Sequence, residues 1–278
     1  VGWESLVGSM LDHEARKSYL GASEVAAVCG FDPFKSKLDI WGAKKGWLQR
    51  DDSNASEMGH MLEPVLLQYY ANKTGRKLTK SPTLIGSESW IAATPDGLAL
   101  KDGINVQAKA IGRYMADHWD HGAPDYVVLQ CNWEMMVTGL QHTDVVALVC
   151  STDPRIIRID RDQKLIDNIL TICRTFWFEH VVANVMPTLD GSETATAILR
   201  AMHPDRGETV PASDRVRKMA MKHARQAAAM KTMKAKHDLL KNRLRQELGS
   251  ASCAEWPKGK VTYRTNIAGD RPLLVRIK

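Results

Sequence analysis

The stretch 91–110, IAATPDGLALKDGINVQAKA, constrains the fold of this chain more than any other. Its two turn sequences, TPDG and KDG, separate short apolar runs, which is typical of strands joined by tight turns. Side chains alternate along the last of these strands, so Gln107 and Lys109 share one of its faces. Hairpin pairing can bring Asp96, which lies in the first turn, beside that face. The sequence therefore predicts a polar cluster of these three side chains on a β-sheet.

Hydrophobic periodicity on both sides of this stretch predicts alternating helices and strands. Helices are predicted from an N-cap at Ser23 to Gly30 and at residues 37–47, 58–74, 126–138 and 163–185, and strands at 78–85, 144–150 and 155–160. The run 144–150 is almost continuously apolar, as expected of a strand covered on both faces. The run 155–160 alternates isoleucine with charged residues, which favours an edge strand. This order predicts an α/β domain with helices around a mixed sheet.

The helix at 58–74 is amphipathic. Its apolar stripe is expected to run through Met61, Leu62, Val65, Leu66 and Tyr69, with Glu63 beside the stripe.

The chain is predicted to contain a core, a linker and a basic extension. Residues 1–190 form the core, and 191–211, which are rich in turn residues such as LDGSET, form a linker on the surface. Residues 212–278 form a long basic helix followed by a small β-hairpin.

Charge is distributed very unevenly along the chain. Residues 211–278 hold 17 Lys/Arg and 5 Asp/Glu, which leaves 21 basic and 27 acidic residues in 1–210. The extension therefore carries a net charge of +12 and the remainder −6, within an overall charge of +6. This asymmetry favours a polyanionic partner for the extension, although a basic helix that is simply solvated has the same composition.

Composition excludes several classes of protein. The five cysteines are scattered and no CxxC occurs, so a zinc ribbon or iron–sulfur cluster is not expected and a reducing compartment fits. No apolar run approaches the ~18 residues of a membrane span, and the N-terminus has no apolar signal segment, so no membrane association is expected.

Five separated motifs together closely resemble the YqaJ-like viral recombinase family, whose members are relatives of the phage lambda exonuclease. The motifs are GASEVAAVCGFDPFKSKLDIW, GHMLEPVLLQYYANKTGRK, IAATPDGL, the QAK strand and PDYVVLQCNWEMMVTGLQHTDVVALV. The resemblance covers roughly residues 14–195. It implies a PD-(D/E)xK restriction-endonuclease-like core, that is, a central mixed β-sheet flanked by helices, here with a basic helical C-terminal extension.

The resemblance also implies a metal-dependent catalytic group. By position it includes Glu63, Asp96, Gln107 and Lys109. Asp96 would bridge two Mg²⁺ or Mn²⁺ ions, Gln107 and the backbone carbonyl of Ala108 would ligate one of them, and Glu63 would serve the other. Lys109 would orient the attacking water and stabilise charge on the phosphate.

Further positions are implied to contact DNA or to support the site. Arg16, Ser23 and Thr94 correspond to residues that hold the 5′-terminal phosphate, and an arginine fork with hydroxyls suits a phosphate dianion. Tyr126 and Gln130 match a Tyr-x-x-x-Gln pattern on the helix beside the metals. From the residues alone, packing for Tyr126 and exposure for Gln130 remain alternative interpretations.

Gln107 departs from the family, which has glutamate in this acid-x-Lys position. A neutral amide removes one negative charge from the ligands of a divalent ion. The chain is therefore either an engineered inactive variant or a naturally impaired protein that acts by binding. The rest of the group is intact, which favours the engineered variant.

The resemblance implies a 5′–3′ exonuclease that digests one strand of linear duplex DNA from a 5′-phosphorylated end. Its single-stranded product would serve phage-type homologous recombination in the cytoplasm of a bacterial host. A ring-shaped homotrimer and a single-strand annealing protein as partner are implied as well. Two alternatives remain open: a non-catalytic protein that binds DNA ends, and an endonuclease of the same fold.

Overall fold

The structure is a computed structural model that describes residues 14–48 and 54–277. Its α-helices are α1 (Ala22–Cys29), α2 (Lys37–Lys44), α3 (Asn54–Thr74), α4 (Asp125–Thr138), α5 (Gln163–Phe176), α6 (Glu193–Met202) and α7 (Asp214–Leu248). Its strands are β1 (Leu20–Gly21), β2 (Leu84–Ile85), β3 (Ile91–Ala93), β4 (Gly97–Ala99), β5 (Ile104–Ile111), β6 (His142–Val149), β7 (Asp153–Asp160), β8 (Cys253–Trp256), β9 (Gly259–Tyr263) and β10 (Leu273–Ile277). The chain divides after Asp205 into two compact units.

The first unit contains a mixed four-stranded sheet in the order β4-β5-β6-β7. Strand β5 pairs antiparallel with β4 and parallel with β6, while β7 pairs antiparallel with β6 at the edge. The parallel pair requires a crossover connection, and α4 supplies it. Strands β1 and β2 flank β3 in a second, three-stranded sheet. The predicted α/β fold with a mixed sheet is confirmed.

Helices cover both faces of β6, which explains its continuous apolar sequence. Val145 and Ala147 pack in one cluster with Cys131 of α4. Val146 packs on the opposite face in a cluster with Tyr70 of α3. Because neighbouring side chains of a strand point to opposite faces, a strand covered by two helices needs apolar residues at every position.

Tryptophans tie α4 and the segment that follows α5 to the strand that leads into the predicted site. The Trp90 ring stacks on the Trp177 ring, with their centroids 5.9 Å apart. Trp133 of α4 donates its indole N–H to the carbonyl oxygen of Ala92 at 3.0 Å. These contacts hold β3 in place just before the turn that carries Asp96.

Three predictions about the elements are wrong. The predicted strand at 78–85 is reduced to Leu84–Ile85. The predicted linker at 191–211 contains α6, whose Ala195 and Ile198 are buried in the main core cluster, and Ser192 caps its first turn by accepting from the Ala195 N–H at 3.0 Å. A capped amphipathic helix that packs on the core is part of the domain rather than a linker.

The stripe predicted for α3 is also displaced. Met61 and Val65 are 63% and 61% exposed, whereas Leu66 and Tyr70 are buried against the sheet. The helix therefore presents a neighbouring face to the core, since only the sheet beneath it determines which apolar residues are covered.

The second unit contains α7 and a three-stranded antiparallel sheet. Strand β9 pairs with β10 as in the predicted hairpin, and β8 adds a third strand on its other side. The Arg271 guanidinium ties this sheet to the end of α7 by donating to the carbonyl oxygens of Gly249 and Ala251. None of the described helices combines the length and apolarity needed to cross a membrane.

Candidate active site

A cleft of about 520 Å³ in the first unit brings together nearly all the predicted site residues. Its lining includes Arg16, Ser23, Glu63, Thr94, Asp96, Gln107, Ala108, Lys109 and Gln130. These residues come from α1, α3, β5, α4 and the segment before β4, so tertiary packing is needed to assemble them.

The β4–β5 hairpin places Asp96 beside Gln107. Gly97 pairs with Val106 in the antiparallel register, so the residue before β4 lies across from the residue after Val106. The connecting turn depends on Gly103, whose φ of +69° lies in the left-handed region that favours glycine. The predicted proximity of Asp96 and Gln107 is therefore present.

A carboxylate oxygen of Asp96 accepts two hydrogen bonds from β5. Its Oδ2 accepts from the Gln107 Nε2 at 2.5 Å and from the backbone N–H of Ala108 at 2.8 Å. The Gln107 amide thus presents its nitrogen, not its oxygen, to Asp96.

Gln130 of α4 continues this hydrogen-bond chain to Lys109. The Gln130 Nε2 donates to the Gln107 Oε1 at 3.0 Å, and the Lys109 Nζ donates to the Gln130 Oε1 at 2.8 Å. An ammonium can only donate, whereas an ionised carboxylate such as that of Asp96 can only accept. The two ends of the chain therefore determine the orientation of both amides between them.

Glu134 is a residue of the site that the sequence analysis missed. It is fully buried, lines the cleft, and lies one helical turn after Gln130, whose Nε2 donates to its Oε1 at 2.9 Å. Its Oε2 has no hydrogen-bond partner in the described part of the chain. The spacing of four residues from Gln130 placed it on the same helix face, and that was the signal available in the sequence.

The cleft raises the pKa of two carboxyl groups. Burial, followed by the nearby charge of Asp96, raises the pKa of Glu134 to about 8, although Gln130 and Lys109 act in the opposite direction. Burial is also the largest cause that raises the pKa of Asp96 to about 6, with Glu63 adding repulsion and the Ala108 N–H opposing it. Carboxylates that repel one another in a partly buried cleft form an environment that a bound cation stabilises.

The donors in the cleft suit a hard divalent ion in type. The Asp96 and Glu63 carboxylates, the Gln107 amide oxygen and the Ala108 carbonyl are oxygen ligands of the kind that Mg²⁺ and Mn²⁺ take. Among the described residues, however, no three Asp, Glu, His or Cys side chains converge into a metal-binding group. The Gln107 amide would have to rotate before its oxygen, rather than its nitrogen, faced an ion beside Asp96.

The cleft also contains the residues predicted to hold a terminal phosphate. Ser23 lies in the first turn of α1, and the N-cap is Gly21 rather than the predicted Ser23. The reason is that the Glu24 carboxylate reaches back and accepts from the Gly21 N–H at 2.8 Å. Ser23 therefore does not cap the helix. It lines the cleft beside the N-terminus of α1.

Lys44 supports this end of the cleft. Its buried ammonium donates to the Glu24 carboxylate at 2.6 Å and to the backbone carbonyl of Arg16 at 2.7 Å. The backbone of Arg16 and the N-terminus of α1 are therefore held by the same cation. Thr94, on the other side, is exposed and shares a 2.9 Å hydrogen bond with the Thr83 hydroxyl.

Tyr126 does not line the cleft with the others. Its half-buried ring packs between two core clusters, beside Trp133 in one and Val127 in the other. The structure therefore matches the packing interpretation of Tyr126, while Gln130 is buried and bonded to both Gln107 and Lys109.

The mixed sheet with its flanking helices is similar in fold to solved structures of an alkaline exonuclease. The structure of LHK-Exo from Laribacter hongkongensis superposes with a TM-score of 0.53 and 24% identity, covering 62% of this chain and 92% of that one. The LHK-Exo complex with dAMP gives a TM-score of 0.54 with the same identity and coverage.

Sequence comparisons match part of the chain to a family model. Residues 13–141 are similar to the YqaJ-like viral recombinase domain. The YqaJ protein of Bacillus subtilis strain 168 is 22% identical over 197 residues, which cover 68% of this chain and 62% of that protein. The chain thus matches less than two thirds of the length of this relative.

Proposed function

We propose that this chain is a deoxyribonuclease of the exonuclease type, which acts 5′ to 3′ on the ends of linear duplex DNA. The observation that carries the proposal is the assembly in one cleft of Arg16, Glu63, Asp96 and Lys109 from four separate parts of the chain. The fold shared with LHK-Exo, an alkaline exonuclease, supports it.

The residues of the cleft form two ends, one proposed to bind a terminal phosphate and the other proposed to bind metal ions. Arg16, Ser23 and the N-terminus of α1 offer a guanidinium, a hydroxyl and backbone N–H groups to a terminal phosphate. Asp96 and Glu63 would hold divalent ions, two per site by family precedent, with the Ala108 carbonyl as a further ligand. Bound ions would supply an activated water and neutralise charge on the scissile phosphate.

Lys109 is proposed to hold the attacking water and to stabilise the developing negative charge. Its ammonium is fixed by Gln130, which is fixed in turn by Glu134. Gln130 and Glu134 are thus positioning residues for Lys109.

Gln107 is proposed to leave this exonuclease impaired. With glutamate at this position, the 2.5 Å contact with Asp96 would join two carboxylates, which would repel each other unless they held a cation or shared a proton. With glutamine, the same contact is a hydrogen bond that Asp96 can make without any ion. The neutral amide therefore removes one charge that would favour metal binding.

The test of this function compares two DNA topologies in the Gln107→Glu variant. End-labelled linear duplex with a 5′-phosphate should be shortened from that end in the presence of Mg²⁺ or Mn²⁺, and covalently closed circular duplex should survive. Digestion of the closed circle would instead establish an endonuclease of the same fold.

A second candidate is a protein that binds DNA ends without cleaving them. The hydrogen bond between Gln107 and Asp96 favours it, because this bond occupies a carboxylate oxygen proposed to bind a metal and leaves the residues proposed to bind phosphate on the same cleft. Stable binding of linear duplex without shortening, by both the unaltered chain and the Gln107→Glu variant, would support this candidate.

The proposed assembly and partners follow the family. A homotrimer that encloses DNA, a single-strand annealing protein that takes up the product, and the cytoplasm of a bacterial host carrying a phage or prophage are the expected setting. Sedimentation of the purified chain tests the trimer.

A further inference from the structure

Helix α7 is long, basic and largely exposed to solvent. It comprises 35 residues, none of them buried, with 11 Lys/Arg and 3 Asp/Glu. At 1.5 Å per residue it extends for about 52 Å. A helix of this length without a buried face receives little stabilisation from packing. We therefore expect its exposed surface to take part in another interaction.

Most of this positive charge is not neutralised within the chain. Among the described residues, only Arg217 and Lys241 of α7 form ion pairs, with Asp214 and Asp238 respectively. Both pairs are on the surface, where such contacts contribute little. The helix therefore repels itself and attracts polyanions.

Four of the basic residues form a ridge along one line of the helix. They are Lys218, Arg225, Lys236 and Arg243. At 3.6 residues per turn, their directions agree to within about 20°. The ridge extends for about 37 Å along the axis, close to the ~34–36 Å of one turn of B-DNA.

The small sheet of the second unit packs on a different side of α7. The half-buried positions of the last turns include Leu244, Arg245 and Leu248, and the Arg245 guanidinium lies over the Tyr263 ring at 6.0 Å. These positions lie about 80–180° around the helix from the ridge. The ridge is thus left uncovered by the sheet.

We propose that this ridge binds the phosphates of duplex DNA and forms a second DNA-binding surface in addition to the cleft. Charge complementarity favours DNA over a second copy of α7, because two helices of net charge +8 repel each other. Contacts of this kind do not depend on sequence, so the ridge holds the duplex by its backbone. The identity of the nucleic acid rests on the proposed function, whereas the binding itself does not depend on cleavage.

The experiment compares two triple variants of equal charge. The ridge variant replaces Lys218, Arg225 and Lys236 by glutamine, and the control variant replaces Lys231, Lys234 and Lys241, which point to the opposite side of α7. Affinity for covalently closed circular duplex is measured against salt concentration in EDTA. A closed circle has no end to enter the cleft, and EDTA prevents hydrolysis, so failure of the proposed exonuclease would not affect the result.

The salt dependence gives the number of phosphates contacted. Each lost phosphate contact should reduce the slope of log affinity against log salt concentration by about 0.9. The ridge variant lacks three contacts, so its slope should be smaller by about 2.7. A fourfold rise in salt lowers the affinity of each protein for DNA. The factor of this loss should be roughly 40 times smaller for the ridge variant than for the unaltered chain. The control variant should keep most of the original slope.

Three results would overturn the proposal. An equal loss of slope in both variants would mean that only net charge matters, and unchanged slopes in both would remove α7 from DNA binding. Circular dichroism at 222 nm confirms that both variants retain the helix. A change in sedimentation of the ridge variant with unchanged DNA affinity would assign the ridge to self-association instead.

Discussion

The amide nitrogen of Gln107 donates to a carboxylate oxygen of Asp96 at 2.5 Å, at the centre of the proposed metal site. This single contact changes what the cleft can do, because it gives the Asp96 carboxylate a hydrogen-bond donor where a second carboxylate would add negative charge. It does not involve Arg16, Ser23 or Thr94, which are proposed to bind a terminal phosphate.

Gln107→Glu is expected to create a metal site. The unaltered chain should bind Mn²⁺ weakly and cleave DNA very slowly, and the variant should bind Mn²⁺ more tightly by tenfold or more, since it adds a negative charge to the ligands. Calorimetric titration and digestion of linear duplex measure the two effects. Adding Asp96→Asn to the variant should abolish both. Rapid digestion by the unaltered chain would show that glutamine suffices as a ligand.

Glu134 is expected to act through hydrogen bonding rather than charge. Glu134→Gln, measured in the Gln107→Glu background, should keep most of the activity because its amide oxygen still accepts from the Gln130 Nε2. Glu134→Leu should lower kcat tenfold or more with little change in KM, since Lys109 loses its fixed position. Equal losses in both variants would indicate that the charge of Glu134 takes part in the reaction.

The hydrogen-bonding role of Glu134 can also be tested without measuring catalysis. In the unaltered chain, the side-chain N–H protons of Gln130 should exchange slowly in an NMR experiment, because both donate to buried acceptors. Their exchange should accelerate in Glu134→Leu and stay slow in Glu134→Gln.

Arg16→Ala should reduce the preference for 5′-phosphorylated over 5′-hydroxyl ends. A charge-assisted hydrogen bond contributes roughly 1.5–3 kcal/mol, so the preference should fall tenfold or more. Binding of labelled duplex ends measures it in the unaltered background. The matched control is Lys17→Ala, since the Lys17 side chain is turned to an exposed pair with Glu14. An unchanged preference in Arg16→Ala would remove Arg16 from phosphate binding.

Stability should decrease in acid as Asp144 is protonated. Burial alone raises the pKa of Asp144, but hydrogen bonds from Arg158 and Tyr70 and the charge of Arg76 outweigh it and lower the pKa below its usual value. The ionised form is therefore favoured in the folded state. The resulting stability is present above the unfolded pKa and is lost as pH falls through the folded one.

Asp144→Asn tests this network directly. It should lower the free energy of unfolding at pH 7 by about 2 kcal/mol, the range for hydrogen bonds to charged groups. The difference in Tm from the unaltered chain should shrink as pH is lowered towards 3. Asp153→Asn is the control, because its pair with Arg155 is exposed and should contribute little. A constant difference in Tm across the pH range would contradict the role given to Asp144.

Local patterns were sufficient for much of the fold. The helix at 126–138 and the apolar strand at 144–150 needed only periodicity and length, and the structure has them as α4 and β6 within two residues. The turn before Ile104 was predictable because Gly103 tolerates a positive φ. Turn chemistry and strand alternation also placed Asp96, Gln107 and Lys109 together, whereas the other site residues came from resemblance to a family, since no local pattern states which distant residues meet.

The predictions that were wrong share one cause. Serine is a residue type that favours the N-cap, which is why Ser23 was predicted there. Instead, the Glu24 carboxylate accepts from the Gly21 N–H, and Lys44 of α2 holds that carboxylate in place. The segment around Ile198 resembled a linker because its flanks are rich in turn residues, yet a core cluster covers it. In each case a tertiary contact decided between local alternatives of similar free energy.

The sequence by itself determined that the turn carrying Asp96 adjoins a strand paired with that of Gln107, and that Gln130 and Glu134 share a helix face, because strand register and helical period are local properties. Only the tertiary structure decided that the Gln107 amide donates to Asp96 and that Glu134 is buried against Gln130. Those outcomes depend on which donors and acceptors meet in a cleft built from distant segments. The physical reason is that a buried hydrogen-bonding group takes the partner that packing brings to it.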